Sequence, residues 1–186
     1  MIHTTLFDSE AIQQALQRIT ESLCQNPQEA PWAVVGIRRG GDVMAGRLVS
    51  LMEQHTGVRP PRGVVDITLY RDDGMGPHAW PQVGASQLGF DLKAHTVVLV
   101  DDVLFTGRTV RAALDAVLDY GRPRAVRLAV LVDRGCRELP IQADAVGFQL
   151  QLPKQEHVDV QWASSGAVAD AVVQTHRHSH KDVVVL

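Results

Sequence analysis

Thr96-Val97-Val98-Leu99-Val100-Asp101-Asp102-Val103-Leu104-Phe105-Thr106-Gly107-Arg108-Thr109 is the stretch on which the fold turns. Residues 96–100 favour β structure throughout and show no polar alternation, the pattern of a strand buried on both faces. Two adjacent carboxylates follow, then a Thr-Gly-Arg-Thr turn. That turn opens a helix over about 109–120, carried by Val110, Ala113, Leu114, Val117 and Leu118 and stopped by Gly121 and Pro123. Backbone N–H groups of residues 105–109, with the hydroxyls of Thr106 and Thr109, suit a terminal phosphate, and Gly107 allows the close turn. Asp101 and Asp102 suit vicinal ribose hydroxyls and favour positive charge developing on the ring. The segment therefore asks for a phosphorylated sugar.

Working outward, Trp32-Ala33-Val34-Val35-Gly36-Ile37 reads as another buried strand, and it feeds Arg38-Arg39-Gly40-Gly41 and a helix over about 42–55. Upstream, Asp8 or Ser9 caps an amphipathic helix through Ile12, Leu16, Ile19 and Leu23 that ends near Asn26-Pro27. Residues 63–70 read as a strand, and so do residues 125–132. Between them, residues 71–94 carry Gly74, Gly76, Pro77, Pro81, Gly84 and Gly89 without a period, the mark of a lid or functional loop. Strands alternating with helices predict an α/β fold with a mainly parallel sheet covered on both faces, whose ligands bind at the carboxyl ends of the strands.

With 186 residues, 45% hydrophobic and 21% charged, the composition predicts one globular domain spanning 1–186. A formal charge of −3 excludes a molecule-wide cationic field, so any nucleic-acid contact has to be local. No apolar run approaches the roughly 20 residues of a membrane span, and residues 1–5 carry no basic or apolar leader pattern, so a cytoplasmic protein without membrane contact is expected. Cys24 and Cys136 stand far apart with no zinc or CxxC spacing, which predicts reduced thiols.

Val100 to Thr109 resembles the phosphoribosyl-pyrophosphate (PRPP) signature of the type I phosphoribosyltransferases. Three further stretches, Val65-Asp66-Ile67-Thr68-Leu69-Tyr70-Arg71-Asp72-Asp73, Thr109-Val110-Arg111-Ala112 and Leu131-Val132-Asp133-Arg134-Gly135-Cys136-Arg137-Glu138-Leu139-Pro140-Ile141, resemble the PyrR family within it. The resemblance implies the type I phosphoribosyltransferase fold with a small hood, here about 133–162, and a lid about 71–94. It also implies the reaction uracil + PRPP giving UMP and pyrophosphate, with Mg²⁺ carried on PRPP near Asp101 and Asp102 and no direct protein metal site. Asp101, Asp102 and Arg71 are then the expected catalytic residues. The ribose 5-phosphate falls to Asp101, Asp102, Phe105, Thr106, Gly107, Arg108 and Thr109, and the pyrophosphate to Arg38, Arg39, Gly40 and Gly41. Tyr70, Arg71, Asp72 and Asp73 fall in the lid, and uracil falls to Val132, Asp133 and Arg134.

The family's second role is regulation of transcription attenuation, by binding pyrimidine-operon leader RNA when UMP or UTP is bound, through a basic face built by a dimer or larger homo-oligomer. Arg18, Arg137 and Lys154 are the candidate RNA cations, with Arg122, Arg124 and Arg127 a further group more readily read as a solvated face. Cys136 and Gln142 stand where basic or ionisable residues are expected, and Arg39 stands where the family tends to carry a small hydroxyl residue. A non-catalytic nucleotide sensor, or a transferase for another base such as a purine or orotate, are the competing expectations. Residues 163–186 match nothing in the family pattern. With His176, His178 and His180 alternating, they are expected to form a surface tail rather than a metal site.

Overall fold

The computed structural model describes residues 2–68, 70 and 86–176. A central sheet of five strands, β2 (Trp32–Ile37), β3 (Arg62–Val65), β4 (Thr96–Leu104), β5 (Ala125–Asp133) and β6 (Ala145–Gln149), runs in the order β3-β2-β4-β5-β6. Every pairing in it is parallel. Helix α1 (Ser9–Cys24) and helix α2 (Gly40–Thr56) cover one face, and helix α3 (Arg108–Tyr120) covers the other. Burial on both faces explains why the sequences of β2 and β4 show no alternation.

Local chemistry sets the helix ends. Asp8 accepts from Ala11 N–H at 2.9 Å and caps α1, whose Ile12, Leu16, Ile19 and Leu23 are buried against the sheet. Helix α2 begins at Gly40, inside the Arg-Arg-Gly-Gly turn, and closes on Gly57 in the left-handed region.

Four expectations need correction. The strand expected over 63–70 ends at Val65, because the buried Asp66 carboxylate accepts from both the backbone N–H (2.9 Å) and the hydroxyl of Thr68 and turns the chain. The irregular stretch expected to reach residue 94 is already docked from Ser86. Gln87 makes an antiparallel bridge to Val64, Asp91 caps a 3-10 turn at Leu92–Ala94, and Leu92 is buried. The third correction concerns the chain ends. Strand β1 (Ile2–Phe7), which the sequence reading assigned to no element, and β8 (Ala171–His176), expected as surface tail, pair antiparallel and form a second sheet with β7 (His157–Gln161) in the order β1-β8-β7. Val172, Val173 and Thr175 of β8 are buried, as a middle strand requires. Fourth, the hood is not confined to 133–162: β6 within that span extends the parallel sheet, and two hood strands lie outside it. Phe7 stacks on Phe148 at 3.7 Å between ring centroids and ties β1 to β6.

Candidate active site

The site grows from the carboxyl end of β4. Asp101 is buried and held in the ladder opposite Val130 of β5. Its Oδ1 accepts from Asp102 N–H at 3.1 Å, and Asp102 Oδ1 accepts from Val103 N–H at 3.0 Å. Burial, then the neighbouring Asp102 charge, pushes the Asp101 carboxyl well above the usual carboxylate range, and burial raises Asp102 as well. The two carboxyls are hydrogen-bonded neighbours raised chiefly by burial, so they titrate as a pair and the pair carries the negative charge.

Downstream of the pair, Phe105 to Thr109 curl around a cavity of about 360 Å³ that Asp101 and Glu138 also line. Gly107, the N-cap, adopts φ +91 and offers no side chain; of the first N–H groups of α3, Arg108 N–H meets the Thr106 hydroxyl at 3.3 Å, and the positive end of that helix opens onto the cavity. This is a ready anion cradle. It is braced from behind by residues 133–141. Thr106 O accepts from the N–H groups of Glu138 (2.9 Å) and Leu139 (3.1 Å), and Arg137 donates to Phe105 O (2.8 Å), Ile141 O (2.9 Å) and Asp133 Oδ2 (2.5 Å).

On the other side of the pair, the turn after β2 closes in. Gly41 lies so near β4 that a Cβ there would meet Val100 O at 2.3 Å. The Arg38–Arg39 peptide is cis, both side chains are exposed, and Arg38 Nε lies 3.9 Å from Asp66 Oδ2. Arg39, Gly40 and Asp102 form one wall of a second cavity of about 600 Å³; Gln161, Trp162 and Val168 from the hood stand in the opposite wall. Asp101 thus faces the phosphate cradle while Asp102 faces the Arg-Gly-Gly turn. The expected ribose-phosphate and pyrophosphate groups are brought together around one acid pair.

Other expected residues behave differently. Tyr70 is anchored to α3, its hydroxyl donating to Asp119 Oδ2 at 2.6 Å and its carbonyl accepting from Arg111 at 2.6 Å; Arg71, Asp72 and Asp73 lie outside the described residues, as do His178 and His180. Val132 is fully buried in β5. The Asp133 carboxylate is committed to Arg137 and to Gly135 N–H, and Arg134 is buried with its guanidinium 3.9 Å above the Phe105 ring and bonded to Pro153 O. The side chains of all three expected uracil ligands therefore brace the fold.

Arg137, expected as an RNA cation, has its guanidinium engaged as a strut of the phosphate loop. Arg127 pairs with Glu29 and Asp144, and Arg124 donates to Ala30 O. Arg18 and Lys154 remain exposed, Arg18 touching Gly147 O at 3.3 Å and Lys154 pairing with Glu138 at 2.7 Å. Glu138 also lines the cavity, brought there by its N–H bond to Thr106 O, a pairing across 32 residues that leaves no signal in the sequence. Both cysteines are free thiols, and no cluster of three or more metal-ligating side chains occurs among the described residues. No helix among them is long and apolar enough to cross a membrane.

Residues 3–165 match the model of the phosphoribosyl transferase domain. The chain is 49% identical over 157 residues to the bifunctional protein PyrR of Deinococcus radiodurans, covering 84% of this chain and 86% of that protein. It is 45% identical over 174 residues to the bifunctional protein PyrR of Geobacter sulfurreducens, covering 92% and 97%. Among solved structures, a hypoxanthine phosphoribosyltransferase of Trypanosoma cruzi superposes with a TM-score of 0.69 at 18% identity, covering 92% of this chain and 91% of the other. One of Staphylococcus aureus gives 0.63 at 21%, covering 81% and 78%. At those identities the two structures speak for the shared fold alone, whereas the domain match and the curated relatives speak for descent: the chain belongs to the PyrR family of type I phosphoribosyltransferases.

Proposed function

We propose that this protein transfers the phosphoribosyl group of PRPP to uracil, giving UMP and pyrophosphate. The observation that carries the reading is the partition of the site by the acid pair. A pentose laid across it puts its 5-phosphate in the cradle of residues 105–109 and its C1′ toward Arg39 and Gly40. In the reaction the C1′–O bond to pyrophosphate breaks and a bond from C1′ to uracil N1 forms, with the N1 proton leaving. The ring passes through an oxocarbenium-like state, which the negative charge of the acid pair stabilises, while Arg38, Arg39 and the N–H groups of Gly40 and Gly41 meet the charge on the leaving group. The acidic pair Asp101 and Asp102 suits Mg²⁺ carried on PRPP beside it, with no direct protein ligand, and Mg²⁺ so bound would neutralise charge on the pyrophosphate. Arg71, at the root of the lid, is assigned to the same anion.

The relatives' name, bifunctional, supports a second role: a UMP- or UTP-loaded homodimer, or larger homo-oligomer, that binds pyrimidine-operon leader RNA in the cytoplasm, with Arg18 and Lys154 as phosphate contacts. The test is a panel of labelled uracil, hypoxanthine and orotate with PRPP and Mg²⁺, repeated with leader transcript. UMP as the sole nucleotide product is expected. Equal turnover of hypoxanthine overturns the uracil reading, and no detectable RNA retention at low salt with UMP present removes the regulatory one.

A further inference from the structure

Helix α2 does two things at once. Its first residue is Gly40 of the pyrophosphate turn, and two turns further on Arg47 reaches the opposite wall of the same cavity. The Arg47 guanidinium makes a two-pronged ion pair with Asp170, Nη2 donating to Oδ1 at 2.9 Å and Nη1 to Oδ2. Asp170 Oδ1 also accepts from Ala163 N–H at 2.9 Å, and its carbonyl accepts from the Ser9 hydroxyl at the start of α1, again at 2.9 Å. The same guanidinium lies 4.7 Å over the ring of Trp162, which is buried and whose indole N–H has no hydrogen-bond partner among the described residues.

Trp162 and Asp170 bracket the connection from β7 to β8. The middle of that connection, including Ser165 and Val168, is largely exposed, and it forms the hood wall facing Asp102 and Arg39. Cavities lie on both of its sides: the one of about 600 Å³ at the acid pair, and another of about 690 Å³ lined by Ser9, Asp42, Arg47 and Asp170. A segment between two voids lacks the close packing that ordinarily fixes a wall, so directional polar contacts must hold it.

Building on the uracil reading above, we infer that Arg47 and Asp170 are positioning residues that set the distance between the pyrophosphate turn and the hood wall, and thereby the fit of the incoming base. Neither faces the reacting atoms. Arg47 acts through Trp162 and residues 163–168. A lysine in its place keeps the charge but loses the planar fork and most of the stacking.

Steady-state kinetics of Arg47→Met, Arg47→Lys and Asp170→Asn, well below their melting temperatures, test the inference. KM for uracil is expected to rise about 10-fold in Arg47→Met and Asp170→Asn and about 3-fold in Arg47→Lys. Inhibition by ribose 5-phosphate, which reads the cradle at residues 105–109, is expected to stay within 2-fold. Hydrogen exchange of amides 163–168 is expected to speed up at least 10-fold in the same variants, with residues 105–109 unchanged. A uracil KM within 2-fold of the parent in every variant, or unchanged exchange at 163–168, overturns the inference. A uniform fall in kcat at constant KM assigns the pair a structural role and overturns it too. A parent that makes no UMP overturns the uracil reading alone, since exchange needs no substrate. Should Arg47→Met fail to fold, Arg47→Lys and Asp170→Asn carry the same comparison.

Discussion

The Asp102 carboxylate lies against the α-carbon of Gly40: a Cβ built on Gly40 would sit 1.8 Å from Asp102 Oδ2 and 2.4 Å from its Cγ. The obstacle is a side chain that can rotate, so Gly40→Ala is expected to fold with a stability loss below about 1 kcal/mol while displacing the carboxylate. A misplacement on the scale of an ångström costs roughly 100-fold in rate. Gly41→Ala meets backbone instead, Val100 O at 2.3 Å, and is expected to lose about 1–3 kcal/mol of stability. Urea titration beside UMP formation separates the two. Equal behaviour of the two variants contradicts the geometry.

Asp101→Asn is expected to raise stability near neutral pH while lowering turnover by at least about 100-fold. Burial raises the Asp101 carboxyl in the folded state, so between its unfolded and folded values the native protein binds more protons than the unfolded one. Stability contributed by that proton is present at low pH and is lost as pH rises through the raised value. An amide removes the penalty, and the melting temperature of the variant is expected to exceed the parent's by a few degrees at pH 8, with the gap closing toward pH 4. A gap that widens on acidification refutes the burial argument.

Arg137→Ala removes the strut beneath the phosphate cradle and leaves the Asp133 carboxylate without its cation. Stability is expected to fall by about 2–4 kcal/mol and KM for PRPP to rise several-fold. Arg18→Ala, on the exposed face of α1, is expected to leave both unchanged and to weaken retention of leader RNA, with a shallower salt dependence. Melting curves and filter binding check the pair. An Arg137→Ala protein with normal PRPP kinetics returns Arg137 to the list of RNA cations.

What could be read from the chain was what local chemistry encodes. The run 96–100, the acid pair and the Thr-Gly-Arg-Thr turn are contiguous, and the strand, cradle and helix start follow from them, the helix within a residue of its expected start and the strand running four residues further, through the acid pair to Leu104. Gly40 and Gly41 were legible as an anion turn, but their contact with β4 is a pairing across some 60 residues of sequence and leaves no periodic trace. Strands β1 and β8 were illegible for a related reason. Each is short, β1 pairs only with β8, β8 lies between β1 and β7, and their mixed polar sequences carry the weak alternation of a half-exposed sheet. Arg134 and Arg137 looked like ligands because charge predicts exposure; an aromatic ring and several carbonyls recruited them inward instead.

The clasp between Arg47 and Asp170 also sets an acid limit. The Arg47 hydrogen bonds hold the Asp170 carboxyl below the usual range, burial opposes this, and Ala163 N–H adds to the lowering. For a carboxyl lowered on folding, the unfolded chain takes up the proton first as pH falls. The stabilisation is complete above the unfolded value of about 4 and disappears as pH drops through the lowered folded value. Urea titrations at steps from pH 6 to pH 2.5 are expected to show the parent losing that stabilisation below about pH 4. Arg47→Met starts lower and loses less over the same interval, so the two curves converge in acid. Parallel curves across the whole range would mean that Asp170 ionisation is not linked to Arg47, and the clasp would then rest on the stacking over Trp162 instead.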